Sequence, residues 1–439
     1  RKFGLSKNDK DSLLRSLRAR KKPAAGDYSQ DQFQSVIPPS YYRIEEFPEY
    51  QKLRLQKLVA EKAKIDNPFF KSQDGIASDT VTIGNHKLIN FANYNYLGLN
   101  GDPRVSEAAK AAIDEYGTSV SASRIVAGER EIHRKLETKL AEIYDVEDAV
   151  VMVSGYATNV TVIGNLLGPR DLILYDSFSH NSILQGTMLS KAKSRMFPHN
   201  DMEMLDQTLK DIRHQYERCL IIVEGVYSMD GDCAPLDKLV DIKKRHKTLL
   251  MVDEAHSLGV LGKFGRGAGE HFGVTGSDVD IWMGTLSKTS AGCGGYIAGS
   301  HALVEFLKFS APGFVYSVGM PPPVTAAALT SLNIMLEEPE RIERLRRNAN
   351  LFLNLAKKAR LNTGLSKGYA VIPIILGNSV KAGQLSSLLF EDGVYVPPII
   401  YPAVPEESAR LRFFLSSEHN ADQLNEAVEK TRICLNRLS

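Results

Sequence analysis

Five short, almost wholly apolar runs constrain this chain more than any other feature: AVVMV (149–153), LILY (172–175), CLIIV (219–223), LLMV (249–252) and DIWMG (280–284). A strand with one wet face alternates polar and apolar residues; β-rich runs without alternation are what strands buried on both faces look like. Ten or more residues, much of them of helical period, separate the runs and suit crossover helices. The pattern predicts an α/β fold built on a doubly wound, mostly parallel sheet.

The chain is long enough, at 439 residues with 43% hydrophobic and 24% charged, for one large domain plus a smaller one. A net charge of +2 gives no global pull towards nucleic acid or membrane. Cys219, Cys233, Cys293 and Cys434 are scattered without a C-x-x-C pair, so neither a disulfide framework nor a metal site is expected, and a reducing cytoplasm fits best. The start, RKFGLSKNDK, lacks the apolar run of a signal peptide, and nothing later is long and apolar enough to span a bilayer. Because the first residue is Arg rather than Met, excision from a longer protein is expected.

Residues 1–45, rich in Lys, Arg, Ser, Gln and Pro, read as a linker-like extension with one short amphipathic helix at DSLLRSLRAR. A helix at EYQKLRLQKLVAEKAKI opens an N-terminal arm over 46–95, and the large domain is expected over 96–330. Past 330 comes a long charged helix, the strand YAVIPIIL, a helix, the strand ARLRFFLSS and a last helix, which predict a small α+β domain over 331–439.

Each apolar run ends in a polar loop, and in open parallel sheets those loops form the ligand crevice. After LLMV stands Asp253 in DEAH; it is either a helix N-cap or an acid facing a cation such as a pyridinium N–H. After DIWMG stands Lys288 in TLSKTSAGCGGY. A Lys flanked by hydroxyls (Thr285, Ser287) and then by glycines suits a Schiff base, since partial desolvation lowers the amine's pKa and hydroxyls can hold a phosphate. A solvated surface Lys is the plain alternative, and the neighbouring motifs weigh against it. Glu224 and Ser228 follow CLIIV, and His180 follows LILY. Ser154-Gly155-Tyr156 opens a helix after AVVMV, a natural phosphate seat.

SGYATN, DSFSHNS, EGVYSMDGDCAPL, VDEAHSLGVLG, GTLSKTSAGCGGYIAG and ARLRFFLSSEH, in this order, resemble the α-oxoamine synthases, pyridoxal 5′-phosphate (PLP) enzymes of fold-type I with a seven-stranded sheet in the large domain. The resemblance runs from about NYNYLGL to the C-terminus. It implies a decarboxylative condensation of an amino acid with an acyl thioester, giving an α-amino ketone. By it, Lys288 carries the cofactor and acts as the base, Asp253 faces the pyridine nitrogen, His256 bonds the ring's phenolic oxygen and His180 stacks on the ring. Ser228, Thr285 and Ser287, with backbone N–H groups near Gly155 and Tyr156, would hold the cofactor and its phosphate. Arg412 would take the amino acid's carboxylate, with Asn95 nearby. Arg410 shares a strand face with Arg412, so the residues alone leave both open.

The resemblance also implies a homodimer. FVYSVGMPPP departs from the family, which often has a hydroxyl or amide at Val318 for the partner subunit's phosphate. FPEYQKLRLQ…NPFF…TVTIGNHKLINFANYNYLGL looks like versions of the family fused to polyketide synthases, so an acyl group on an acyl carrier protein or on CoA is expected. Arg15, Arg18, Arg20, Lys21 and Lys22 would suit docking to an acidic carrier, or belong to a solvated linker helix. Two rivals remain at this level: another fold-type I reaction such as transamination or aldol cleavage, and a non-catalytic scaffold subunit that has lost the lysine. The retained Lys288, Asp253, His256 and His180 argue against the second.

Overall fold

A computed structural model describes residues 37–62 and 65–438. The expected helix at DSLLRSLRAR and the basic residues Arg15 to Lys22 lie outside the described residues. The chain divides into two compact units between residues 63 and 64. In the first, two short turns of 3-10 helix precede a helix, Pro48–Lys62, with no buried side chain.

The second unit opens with a hairpin of β1 (Thr80–Ile83) and β2 (His86–Asn90). Its main sheet uses β3 (Asp148–Met152), β4 (Leu172–Asp176), β5 (Lys193–Phe197), β6 (Cys219–Glu224), β7 (Leu249–Asp253), β8 (Ile281–Thr285) and β9 (Gly295–Gly299). The order is β3-β9-β8-β7-β6-β4-β5, parallel throughout except that β9 runs against both neighbours. All five apolar runs are strands of this sheet. Their lack of alternation has a direct cause. Cys219, Ile221 and Val223 face one core cluster while Leu220 and Ile222 face another, so both sides of β6 are dry. The two strands outside the runs are β5, KSRMF, an edge strand with four exposed residues, and β9, GYIAG, whose small residues lie in the glycine-rich stretch after Lys288.

The C-terminal part follows the expected order. The helix Glu340–Lys358 precedes β10 (Val371–Ile375), the helix Ser379–Glu391, the short β11 (Val394–Tyr395) and β12 (Pro398–Ile399), then β13 (Arg410–Phe414) and the helix Ala421–Arg437. Strands β10, β13 and β12 make an antiparallel sheet, while β11 pairs in parallel with β2 and so ties the C-terminal part to the first hairpin.

Candidate active site

Because β3, β4, β6, β7 and β8 run in one direction, their carboxyl ends share one edge of the sheet, and the loops leaving that edge enclose a cavity of about 300 Å³. Gly155, Tyr156, His180, Asp253, His256, Thr285, Ser287 and Lys288 all line it, contributed by the ends of β3, β4, β7 and β8 and the four loops that follow them. The helix Gly155–Leu166 starts at the cavity with Ser154 as its cap. A Cβ on Gly155 would meet Thr285 Oγ1 at 2.7 Å, so only glycine lets this helix end approach the β8 loop so closely. Thr285 Oγ1 in turn bonds Gly294 O at 3.0 Å and lies 3.1 Å from Ser287 Oγ.

Asp253 ends β7 with both oxygens held: Oδ1 accepts the Ala255 N–H at 2.9 Å and Oδ2 accepts from Asn159 Nδ2 at 2.8 Å. His256 Nδ1 shares a hydrogen bond of 2.7 Å with Tyr96 Oη, and burial, with Lys288 and Arg412 adding, holds its pKa well below the usual imidazole range. Burial also lowers His180, against the pull of Asp253. Lys288 Nζ lies 5.7 Å from the centre of the Tyr94 ring, and burial pulls its pKa down to about 8 although Asp253 and Glu224 favour the charge.

Three expected residues lie outside the cavity lining. The Ser228 side chain is buried, but its carbonyl oxygen accepts from Arg412 Nη1 at 2.9 Å, which joins β13 to the β6 loop. Arg412 is half-buried, its guanidinium 4.6 Å from the Phe414 ring, and its Nε is buried without a hydrogen bond. Asn95 departs from expectation: its amide nitrogen donates to Ala77 O at 2.9 Å and its oxygen accepts from Asn100 N at 3.1 Å, so both ends hold the local loop. Its neighbour Tyr94 lines the cavity instead. The structure also separates the two arginines. Arg410 pairs with Asp230 at 2.9 Å, whereas Arg412 meets no carboxylate among the described residues.

Asn159, Ser182, Glu224 and Tyr94 line the cavity without a role read from the sequence. Glu224 is the most telling. Burial, with Asp253 adding, pushes its pKa well up, and its Oε1 accepts the His180 backbone N–H at 2.5 Å. Its position at the end of a buried run was the available signal.

The donor set fits pyridoxal phosphate. An amine deprotonable near neutrality, an acid held at the cavity wall, an imidazole exposed to the cavity and a capped helix end with bare N–H groups meet in one space. Fold and cavity together define a fold-type I PLP enzyme. Residues 86–430 match the family described as aminotransferase class I and II. The chain is 44% identical to 8-amino-7-oxononanoate synthase of Symbiobacterium thermophilum over 346 residues, covering 79% of this chain and 88% of that one. It is 37% identical to 8-amino-7-oxononanoate synthase 1 of Bacillus velezensis over 385 residues, covering 88% and 97%. Serine palmitoyltransferase from S. paucimobilis, solved with a bound PLP–myriocin aldimine, superposes with a TM-score of 0.85 at 28% identity, covering 89% of this chain and 98% of that one. The chain belongs to the aminotransferase class I and II family, and within it to the α-oxoamine synthases, PLP-dependent acyltransferases that condense an amino acid with an acyl thioester.

Proposed function

We propose that this chain joins the Cα of an amino acid to the carbonyl carbon of an acyl thioester, releasing the thiol and carbon dioxide and yielding an α-amino ketone. The observation that carries this reading is the meeting of Lys288, Asp253, His180 and His256 in one cavity, with Arg412 close enough that its charge lowers the pKa of Lys288 and both histidines.

When bound, pyridoxal phosphate supplies an aldehyde for an amine and a ring that accepts electrons from Cα. Thr285, Ser287 and the N–H groups at Gly155 and Tyr156 bind the phosphate, with the start of the helix Gly155–Leu166 favouring its charge. Asp253, fixed by Asn159 and Ala255, keeps a proton on the ring nitrogen. His256 orients the phenolic oxygen and is itself held by Tyr96. Lys288 Nζ removes the Cα proton, and its lowered pKa keeps part of it neutral near pH 7. Arg412, whose guanidinium meets no carboxylate among the described residues, receives the carboxylate. Asn95 acts by shaping the loop that brings Tyr94 to the cavity.

The acyl group arrives on CoA or on an acyl carrier protein of a polyketide synthase, the basic residues Arg15, Arg18, Arg20, Lys21 and Lys22 being the segment suited to a carrier. The active unit is a homodimer. Tyr316 at 87% exposure, Val126 at 81%, Met188 at 77% and Phe309 at 70% support this, since so many exposed large apolar side chains favour a covered surface. The exposed Val318 leaves Ser317 or backbone groups for any contact with the partner's phosphate. We place the large domain at 96–330, behind the extension 1–45 and the arm 46–95, with the small domain at 331–439. Four free cysteines and the lack, among the described residues, of a helix long and apolar enough to cross a membrane support work in the cytoplasm.

The test is the visible spectrum of the purified protein, titrated with amino acids and then with acyl-CoA while thiol release is followed. A PLP band that Lys288→Ala removes, a shift with one amino acid, and thiol release are expected. A protein that stays colourless after PLP is added overturns the reading in favour of a scaffold; transfer of the amino group without thiol release favours transamination.

A further inference from the structure

A run of hydrogen bonds links the ends of β3, β4 and β7 beneath the cavity. Asp253 Oδ2 accepts from Asn159 Nδ2 at 2.8 Å, and the same nitrogen lies 2.9 Å from Ser182 Oγ. Ser182 Oγ stands 2.7 Å from His180 Nδ1, and the Ser182 backbone N–H reaches that nitrogen at 3.3 Å. Two ends fix the directions of the links between them: the carboxylate of Asp253 and the Ser182 backbone N–H that points at His180 Nδ1.

An ionised carboxylate only accepts, so the amide atom facing Asp253 is the NH2 group; the flipped amide would set a carbonyl oxygen against a carboxylate oxygen. The nitrogen donates both its hydrogens, so Ser182 Oγ accepts from it; the Ser182 backbone N–H points at His180 Nδ1 and marks that nitrogen as an acceptor, so the hydroxyl's own hydrogen goes to it as well. Nδ1 then receives two donors, the hydroxyl and the backbone N–H, and carries no proton. A neutral imidazole so held keeps its proton on Nε2. Asn159 is 1% exposed, and its Oδ1 is buried with no partner among the described residues. An amide that leaves its oxygen orphaned is one oriented by what its nitrogen must satisfy.

We propose that Asn159 and Ser182 are positioning residues that carry the polarity of the Asp253 carboxylate to His180 and hold its imidazole as the Nε2–H tautomer. The protein gives Nε2 no hydrogen-bond partner among the described residues, so this N–H is the ring's free donor, on a side chain exposed to the cavity. The wider surroundings bear on its titration as well. Asp253 from β7 favours protonation, Lys288 after β8 and Arg412 on β13 oppose it, Glu224 on β6 takes the backbone N–H, and the Tyr156 ring meets the imidazole edge-on at 6.4 Å. What the free donor meets rests on the proposed reaction; the tautomer itself does not.

The experiment is nitrogen NMR of the holoenzyme labelled with 15N-histidine, the His180 signals being assigned by their loss in His180→Asn. Wild type is expected to show a pyridine-type Nδ1 and a pyrrole-type Nε2. Ser182→Ala and Asn159→Leu are expected to mix the tautomers and raise the imidazole's titration midpoint, with kcat lower by about tenfold and KM for the amino acid changed less than about twofold. Ser182→Thr, which keeps the hydroxyl, is expected to restore the wild-type signals. A pyrrole-type Nδ1 in wild type, or unchanged signals in a folded Ser182→Ala, overturns the proposal. The wild-type spectrum, assigned with His180→Asn, decides the tautomer even if neither Ser182→Ala nor Asn159→Leu folds. A missing PLP band with the expected tautomer would overturn the reaction and leave this inference standing.

Discussion

Two groups of ionisable residues, each with buried members, sit on the same sheet and are built on opposite terms. Alongside β3, Arg124 meets Glu137 at 2.5 Å and Glu129 at 2.7 Å, Arg134 meets Asp148 at 2.7 Å, and Lys308 meets Glu137 at 3.4 Å. Every charge there has a partner. At the cavity, neither Lys288 nor Arg412 is in an ion pair among the described residues, and Glu224 is pushed towards its neutral form. Burying unpaired ionisable groups costs stability, so a fold keeps them only where something else is to be met. The paired group holds the molecule together, and the unpaired group is its working surface.

That contrast breaks most visibly at Lys288. Lys288→Met is expected to lower kcat by at least about a thousandfold, as loss of a base and attachment point does. Yet the cofactor-free variant should be more stable than wild type. The folded amine titrates at about 8, below its unfolded value of about 10.4, so its penalty is full below pH 8 and fades as pH rises towards 10. Denaturant midpoints of the PLP-free proteins should therefore favour the variant by about 1–2 kcal/mol at pH 7 and converge near pH 10. Glu137→Leu should do the opposite, costing about 3 kcal/mol by taking away the buried carboxylate of Arg124 and leaving it only the more exposed Glu129, while kcat of the folded fraction stays close to wild type. A Glu137 variant of normal stability would dissolve the distinction.

The two arginines of β13 repeat the contrast two residues apart. Arg410 is committed to Asp230 and to Met229 O, whereas Arg412 keeps Nε without a partner. Arg412→Ala is expected to raise KM for the amino acid by about a hundredfold, the worth of a charge-assisted pair of bonds to a carboxylate, with little change in melting temperature. Arg410→Ala should lower melting temperature and leave KM within about threefold. Exchanged outcomes in the kinetic assay would hand the carboxylate to Arg410.

This pair also marks where the sequence stops being legible. Period 2 puts 410 and 412 on one face, and nothing in RLRFF says which arginine finds Asp230, because that partner lies far away on the β6 loop. Asn95 fails for the same kind of reason: a motif places the residue near the site, but whether its amide faces the cavity or the carbonyl of Ala77 is settled by a loop 18 residues away. The strands were readable where burial on both faces removes alternation, as in β3, β6 and β7, and unreadable at β5, whose exposed edge residues look like a loop. Lys288, Asp253, His180 and His256 stood out because each lies within five residues after an apolar run, and the structure brings all four to one cavity; the roles given to them come from the family resemblance. Asn159 and Ser182 act through other side chains and leave no pattern of their own.

His199 sharpens the comparison from the boundary between the two kinds of site. It lies beside the cavity loops but is paired on both nitrogens: Nδ1 to Asp176 at 2.8 Å, four residues before His180, and Nε2 to Asp232 at 2.8 Å, four residues after Ser228. Phe178 stacks on it at 4.0 Å. Burial alone would lower its pKa, but the two carboxylates outweigh that and raise it to about 9. A raised pKa means that the folded state binds the proton more tightly, so the stabilisation is complete below the unfolded pKa of about 6.5 and is lost as pH rises through 9. If pairing is what marks a structural group, His199→Gln should destabilise by about 1–2 kcal/mol at pH 6, and the difference should vanish near pH 10. Lys288 and His199 therefore push stability in opposite directions over intervals that overlap between about pH 8 and 9, and only the two variants side by side separate them. A His199→Gln protein that kept its stability at pH 6 but lost turnover would move His199 into the unpaired, working class despite its two carboxylates.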